Sequence, residues 1–216
     1  MESDQQRRGD GMSVVAIDTA ARLAAWVLCT DTAGHIITER EIPGGRLDAC
    51  LAAAIAELLD DGTEAIVVLT GPGSYSGVRA GMAAALGVAS ARQLPLHGAG
   101  NLLAVAAAAR TGDGEAITAV ADAGRGGVYL ARFVGRSGQP EQVSDVERHD
   151  ATSIASVPHL VATTAIAGLD VRRVGPRGAL AAAVPWALAR PRLVAAGLAA
   201  THAQPLGTSD HAATVS

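Results

Sequence analysis

The sequence of 216 residues contains no lysine, so all 17 of its basic residues are arginine. Schiff-base catalysis, the phosphate loop of Walker-type nucleotide sites and the nucleotide-binding strand of protein kinases each need the compact ammonium group of a lysine on a flexible side chain. The absence of lysine therefore excludes these three kinds of site from the chain.

Aromatic residues are also scarce, at 2% of the chain, and the formal net charge is -4. Proteins that bind nucleic acid unaided usually carry a basic surface and aromatic side chains on which bases stack. We therefore expect no autonomous binding of nucleic acid. The chain is long enough to bury roughly 70% of the surface of its unfolded state, so its stability needs neither disulfides nor metals.

Motifs for metal binding and redox chemistry are missing as well. Cys29 and Cys50 form no Cys-x-x-Cys motif and lie in apolar segments, which predicts buried thiols in a reducing compartment. None of the 6 histidines has a second one at the spacing of metal ligands on a helix, so we expect no metal site. Residues 1–11 are polar and no run of 18 residues is apolar, which predicts a cytoplasmic protein without a membrane span.

Apolar segments alternate with turn residues along the chain, a pattern typical of an α/β protein. We predict strands over residues 13–18, 23–30, 35–40, 64–70 and 94–97, and helices over 46–59, 78–91 and 101–110. Further along we predict a hairpin over 119–133, a helical turn over 151–156, a strand over 159–165, and helices over 176–188 and 192–200. The predicted divisions are a disordered N-terminus (1–12), a first subdomain (13–112), a second, reduced subdomain (113–202) and a flexible tail (203–216).

The second half of the chain begins much as the first does. The segment AVADAGRGGVYLARF can be aligned with VAIDTAARLAAWVL so that Asp122 matches Asp18, and the same offset brings Gly138 onto Gly34 before a third strand. Such self-similarity predicts an internal duplication, and hence an α/β fold with pseudo-twofold symmetry. The alternative is chance similarity in a chain rich in alanine and glycine.

A glycine-rich loop, GPGSYSG, joins an apolar strand to the second predicted helix. Its glycines would let the backbone approach a ligand, and the start of a helix favours an anion. The candidate phosphate or nucleotide contacts are Asp18, Gly71, Gly73, Ser74, Tyr75, Ser76, Gly77 and Arg79. Two alternatives stay open, since the loop has neither a Gly-Lys-Ser/Thr ending nor G-x-G-x-x-G spacing. The loop would then be a tight turn with small residues for packing, and Asp18 would cap the turn that follows it rather than hold a cation or water.

The first two predicted helices have no polar face in their middle. Residues 49–56 read ACLAAAIA and residues 80–91 read AGMAAALGVASA. A helix that is apolar all round must be covered all round, so we expect the sheet on one side and a partner helix on the other, unless the alanines reflect only a biased composition. The second helix places a row of small residues beside a bulkier row: Gly77, Gly81, Ala85 and Ala89 beside Val78, Met82 and Leu86.

Three segments in this order resemble the bacterial TsaB (YeaZ) family: VVAIDTA, VVLTGPGSYSGVRAGMAAALGVASARQLPLHGAGNLLAVA and ADAGRGGVYLARF. The loop pattern Gly-Pro-Gly-Ser-Phe/Tyr-Thr/Ser-Gly, followed by a hydrophobic residue and arginine, is the hallmark of that family. The resemblance covers about residues 13–135. Two departures are Gly127, where the family motif Asp-Ala-Arg-x-Gly-Glu-Val-Tyr has glutamate, and QPLGT around Pro205 in place of Pro-x-Tyr-x-Arg.

The resemblance implies an actin-like ATPase (ribonuclease H-like) fold of two duplicated subdomains. It also implies a role in forming threonylcarbamoyladenosine next to the anticodon of tRNAs that read codons beginning with A. The family member would be a non-catalytic subunit that binds and activates the TsaD paralogue, with the TsaE ATPase as a further partner and tRNA bound only through the complex. No cofactor would be required by this chain, although ATP or ADP would be present in the complex.

The resemblance further implies that the first two helices meet the partner, or a second copy of the chain when it is alone. The expected interface residues are Leu47, Leu51, Ile55, Val78, Met82 and Leu86. The rival interpretation is an active ATPase or phosphotransferase of the same fold that uses the glycine loop and Asp18. A glycoprotease is a weaker third alternative, because no serine, cysteine or metal constellation is visible.

Overall fold

The computed structural model describes residues 12–193, which form two β-sheets and four α-helices. Within these residues no helix is both long enough and apolar enough to cross a membrane. The disordered N-terminus predicted over residues 1–12, the helix predicted over 192–200 and the flexible tail predicted over 203–216 lie wholly or mostly outside the described residues. The departure from the family motif around Pro205 lies outside them as well.

The first sheet combines an antiparallel meander with two parallel strands. Its members are β1 (Ser13–Asp18), β2 (Ala24–Asp31), β3 (Ile36–Pro43), β4 (Thr63–Leu69) and β5 (Leu96–Ala99). The strand order is β3-β2-β1-β4-β5, and β1 is the strand that pairs antiparallel with β2 and parallel with β4. β1 and β4 are almost entirely buried, as expected for strands covered on both faces.

Helices cover both faces of this sheet. They are α1 (Leu47–Leu58), α2 (Tyr75–Arg92), α3 (Asn101–Ala109) and α4 (Pro176–Leu188). α1 and α2 pack on the face that carries Val15, Val27 and Val68. α4, which comes from the end of the described chain, packs with Ala104 of α3 on the opposite face, against Leu28 and Val67. The core of the first sheet is therefore completed by a distant part of the sequence.

The second sheet contains β6 (Ala116–Gly124), β7 (Gly127–Arg136), β8 (Gln139–Gln142), β9 (Glu147–Asp150), β10 (Leu160–Ala162) and β11 (Arg172–Arg173). The strand order is β11-β10-β6-β7-β8, and β9 also pairs with β7. A 3-10 helix (Ala151–Ile154) follows β9. The remaining side chains of α3 pack on this sheet against Ile117 and Phe133, so α3 lies between the two sheets.

The predicted α/β class is confirmed, and the meander β6–β7–β8 repeats the meander β1–β2–β3. Gly34 and Gly138 occupy equivalent turns with φ of +87° and +72°, a region that favours glycine. The two turns differ in surroundings: a Cβ at Gly34 would meet the carbonyl oxygen of Ala181 in α4, whereas a Cβ at Gly138 would meet nothing within 4 Å.

The small-residue row of α2 is the face of that helix that packs on this chain's own residues. Gly77, Gly81, Ala85 and Ala89 are all buried against this chain's own residues. A Cβ on Gly77 would collide with the carbonyl oxygen of Thr19, and one on Gly81 with the Thr19 hydroxyl. The glycines thus let α2 lie close to the turn between β1 and β2.

Candidate functional site

The ends of β1 and β6 face each other across a cleft between the two sheets. The cleft encloses about 130 Å³ and is lined by Asp18, Ala20–Leu23, Pro72, Gly73, Asn101, Ala121, Asp122 and Thr163–Ala165. Pockets for small molecules usually measure about 300–1,000 Å³. In the shape described, the cleft is therefore too small for a nucleotide.

Asp18 and Asp122 occupy equivalent positions and make equivalent hydrogen bonds. The Asp18 carboxylate accepts a hydrogen bond of 2.8 Å from the backbone N–H of Ala20, and Asp122 accepts one of 2.7 Å from that of Gly124. Each carboxylate caps the turn two residues further on. The interpretation of these aspartates as turn caps is confirmed, and it supports the duplication.

The two aspartates differ in burial. Asp18 is buried, and burial raises the pKa of its carboxyl group, while the hydrogen bonds from the Ala20 N–H and the Asn101 side chain oppose that rise. Asp122 is exposed. The carboxyl group of Asp18 is thus a protected group at the floor of the cleft.

Asn101 connects this carboxyl group to the glycine-rich loop. Its side-chain oxygen accepts a hydrogen bond of 2.8 Å from the Gly71 N–H, and the backbone N–H of Asn101 donates one of 2.8 Å to the Gly71 carbonyl oxygen. Sequence reasoning missed this residue. The available signal was a polar residue at the start of a helix that follows a short buried strand.

The glycine-rich loop packs on the turn after β1. The Ser74 N–H donates to the carbonyl oxygen of Ala20 at 2.8 Å, and the Thr19 hydroxyl donates to the carbonyl oxygen of Gly77 at 2.7 Å. A Cβ on Gly73 would lie 2.6 Å from the Ala20 Cβ. The Gly77 N–H is capped by the Ser74 side chain at 3.4 Å. These contacts favour the tight-turn interpretation of the loop, because its close approach is to this chain's own backbone.

The other candidate contacts are dispersed. Ser74, Ser76 and Gly77 line a separate groove of about 460 Å³ between the turn after β1, the loop before α1 and the start of α2. Tyr75 is 74% exposed, and its hydroxyl accepts a hydrogen bond of 2.8 Å from Arg79, whose guanidinium also lies 5.1 Å from the Tyr75 ring centre. Neither Tyr75 nor Arg79 lines the cleft.

The expected interface residues also separate into two groups. Leu51 and Ile55 are 4% and 0% exposed, because they form the inward face of α1 in the core of the first sheet. Their assignment to a partner interface is therefore wrong. The other four are half-buried, and three of them, Leu47, Met82 and Leu86, pack against the edge of that core. The fourth is Val78.

Within residues 12–193 no group of three or more histidine, cysteine, aspartate or glutamate side chains is placed to hold a metal ion. Cys29 is buried and Cys50 half-buried, and neither forms a disulfide. The polar side chains that line the described cleft are the buried Asp18, the exposed Asp122 and Arg22, the amide of Asn101 and two threonines.

Comparison with known proteins gives consistent matches. Residues 46–206 match the family model described as "TsaD: tRNA N6-adenosine threonylcarbamoyltransferase". The chain is 32% identical over 211 residues to an uncharacterized protein of Mycobacterium leprae, covering 92% of this chain and 57% of that protein. An uncharacterized protein of Mycobacterium tuberculosis is 35% identical over 162 residues, covering 73% of this chain and 74% of that protein.

A third relative carries a functional name. The "tRNA threonylcarbamoyladenosine biosynthesis protein TsaB" of Bacillus subtilis is 41% identical over 78 residues, covering 36% of this chain and 34% of that protein. Among solved structures, YeaZ from Pseudomonas aeruginosa superposes with a TM-score of 0.62 at 22% identity, covering 82% of this chain and 92% of that one.

The two related sheets and the cleft between them define an α/β protein of the actin-like fold. The chain belongs to the family that the TsaD model describes, and within that family it is a TsaB (YeaZ)-like protein.

Proposed function

We propose that this protein is a non-catalytic subunit required for threonylcarbamoyladenosine formation next to the anticodon of tRNAs that read codons beginning with A. It binds a catalytic TsaD paralogue and activates it, with the TsaE ATPase as a further partner. The names of the matching family model and of the Bacillus relative support the pathway. The packing of the glycine-rich loop on this chain's own Thr19 and Ala20 supports the non-catalytic role.

The observation that carries the partner role is the exposed face of α1 and α2. Its apolar members are all small, and we call them the alanine face: Ala49, Ala52, Ala53 and Ala56 of α1 with Ala83 and Gly87 of α2. Small side chains let helix axes approach to about 8 Å, the low end of helix packing distances. In this proposal the alanine face takes the place of Leu51 and Ile55 as the surface that contacts the partner. The four remaining predicted interface residues lie on the same two helices and are half-buried: Leu47, Val78, Met82 and Leu86.

Nucleotide is not required by this chain in this proposal. The N–H groups of Ser74 and Gly77 at the start of α2 donate to protein acceptors, and the glycine loop is packed on Thr19 and Ala20. ATP or ADP would be held by the catalytic partner or by TsaE. When the chain is alone, the alanine face would bind a second copy of itself.

An active ATPase of the same fold is the second candidate. The observation in its favour is the buried carboxyl group of Asp18 between the two sheets, joined to the loop by Asn101. ATP turnover by the purified chain separates the two candidates. Turnover comparable to that of an ATPase, and its loss in the Asp18→Ala variant, would establish the enzyme and reject the scaffold.

The decisive test of the partner role inserts charge into the alanine face. We expect the Ala52→Glu/Ala83→Glu double variant to lose co-purification with the TsaD paralogue and to lower the yield of modified tRNA at least tenfold in a reconstituted reaction. Both positions are exposed, so the circular dichroism and melting temperature should stay close to those of the parent chain.

The control is Ala155→Glu, which adds a single glutamate at an exposed alanine after the 3-10 helix of the second sheet and is compared with Ala52→Glu and Ala83→Glu singly as well as with the double variant. We expect Ala155→Glu to behave as the parent. If the double variant binds the paralogue and supports modification as well as the control does, the alanine face is not the interface and the proposal fails.

A further inference from the structure

The hairpin between β6 and β7 brings together three arginines from different parts of the chain. Arg125 lies in the turn itself, between Gly124 and Gly127, which pair across the hairpin. Arg22 reaches the hairpin from the turn after β1, and Arg148 comes from β9. We call these three residues the arginine cluster.

The two hairpin glycines make room for two of the guanidinium groups. A Cβ built on Gly124 would collide with the Arg22 guanidinium, and one built on Gly127 would lie 2.5 Å from the Arg148 Nη2. Residues that pair across an antiparallel ladder have Cα atoms about 4.5–5.5 Å apart. The guanidinium groups of Arg22 and Arg148 are therefore within about 13 Å of each other.

The arginine cluster takes part in none of the ion pairs among the described residues, and all three side chains are exposed. Three carboxylates lie near it in the sheet. Asp122 accepts from the Gly124 N–H, Glu147 lies 2.8 Å from the His149 ring nitrogen, and Asp150 pairs with Gly127 across the ladder. Bringing like charges together without a counterion is unfavourable, so an external anion would stabilise the arrangement.

We propose that the arginine cluster is a binding site for backbone phosphates of RNA, and, resting on the proposed function, that these belong to the tRNA held by the complex. Guanidinium groups recognise phosphate through paired hydrogen bonds, and their charge releases counterions from the strand. The three guanidinium groups are exposed at the surface and come from separate parts of the chain, an arrangement that suits the repeated phosphates of a nucleic-acid backbone. It supplements the partner's contacts and does not require this chain to bind RNA tightly alone.

The first experiment uses the whole chain alone and follows the side-chain Nε–H signals of its arginines by NMR. Titration with tRNA should shift the Arg22 and Arg148 signals, while the exposed Arg92 and Arg110 serve as controls far from the hairpin in sequence. Parallel titrations with inorganic phosphate and with ATP distinguish the sources. Larger shifts with tRNA at equal phosphate concentration support the proposal, and equal or larger shifts with ATP overturn it in favour of a nucleotide site.

The second experiment uses the complex with the TsaD paralogue and a matched pair of variants. Gly127 does not have a positive φ, and a side chain there displaces only the end of Arg148, so both variants should fold. Gly127→Glu adds a carboxylate beside Arg148, whereas Gly127→Gln adds the same bulk without charge. We expect tRNA affinity to fall about tenfold in the glutamate variant relative to the glutamine variant. The slope of log affinity against log salt should fall by about one.

Equal tRNA affinity and equal salt slopes for the two Gly127 variants, or no selective shift of Arg22 and Arg148, would overturn the phosphate site. Failure of the chain to bind the paralogue would instead reject the proposed function, while the NMR titration would still report on the arginine cluster. The phosphate site and the proposed function are therefore rejected by different results.

Discussion

At the scale of single residues, Asp18 and Asp122 have the same local hydrogen bonds but differ in burial. Both carboxylates cap the turn after their strand, so the short-range geometry is the same. Only Asp18 lies beneath the glycine-rich loop, where burial disfavours its charged form and raises its pKa. The difference comes from packing, which the residues around each aspartate do not reveal locally.

The raised pKa of Asp18 leads to a prediction about pH. The folded state holds this proton more tightly than the unfolded state, whose aspartate has a pKa near 3.8, so the free energy of unfolding falls as pH rises above that value towards the folded pKa. Asp18→Asn removes the titration and keeps an oxygen that can accept from the Ala20 N–H. We expect the melting temperature of this variant, relative to the parent, to rise between about pH 4 and pH 7.

The measurement is thermal unfolding across this pH range at low and high salt. The rise in the melting temperature of the variant relative to the parent should persist at high salt, because burial rather than exposed charge causes it. A melting-temperature difference that does not change with pH would contradict the raised pKa.

At the scale of elements, two glycines let α2 pack closely on the turn after β1. Gly77 and Gly81 face Thr19, and Gly87 on the opposite side of the same helix has no atoms within 4 Å of a Cβ position. The helix thus offers one position where a methyl group collides and another where it is free.

We expect Gly81→Ala to lower the free energy of unfolding by about 1–3 kcal/mol, the usual cost of overpacking. Gly87→Ala should raise it by roughly 0.5–1 kcal/mol, because alanine loses less backbone entropy in a helix than glycine does. Urea unfolding of the two variants provides the measurement, and each is the control for the other. Equal changes in the free energy of unfolding for the two variants would show that α2 does not pack on the turn after β1.

Element prediction from sequence succeeded where the pattern was strong. The bounds of β1 and α4 agree with the predictions for 13–18 and 176–188, because a short apolar run bounded by turn residues and a helix opened by proline are clear signals. β3 continues to Pro43 because it pairs with β2 as far as Ala24. The internal duplication predicted a third strand after Gly138, and β8 is that strand. β9 and β11 were not predicted, since short exposed strands depend on partners that the local sequence does not specify.

Candidate-site prediction was less complete for the same reason. The sequence identified Asp18 and the glycine-rich loop as one region, but the loop's close contact is with Ala20 and Thr19 rather than with open space. It also placed Leu51 and Ile55 outward, because a helix apolar all round gives no sign of which face the sheet takes.

At the scale of the whole molecule, the two sheets share their helices. α4 follows the second sheet in sequence but packs on the first, and α3 lies between both. Unfolding of one sheet should therefore expose the core of the other. We expect a single cooperative transition for residues 12–193.

Leu180→Ala tests this coupling, since Leu180 is 0% exposed in α4 against the first sheet. We expect a loss of about 2–5 kcal/mol in the free energy of unfolding. Native-state hydrogen exchange should show equal loss of protection in β1 and in β6. The control is Leu23→Ala at a side chain that is 80% exposed, which should change neither. Loss of protection confined to the first sheet would show that the sheets unfold independently.

The position of α4 also constrains the order of events during synthesis. β1 to β5 leave the ribosome well before residues 176–188, and until those residues arrive the sheet face that carries Leu28 and Val67 is covered only in part, by α3. A nascent chain that stops after α3 would therefore expose apolar surface, of the kind that chaperones bind and that promotes aggregation. The first half of this protein can complete its own folding only after α4 has been synthesised.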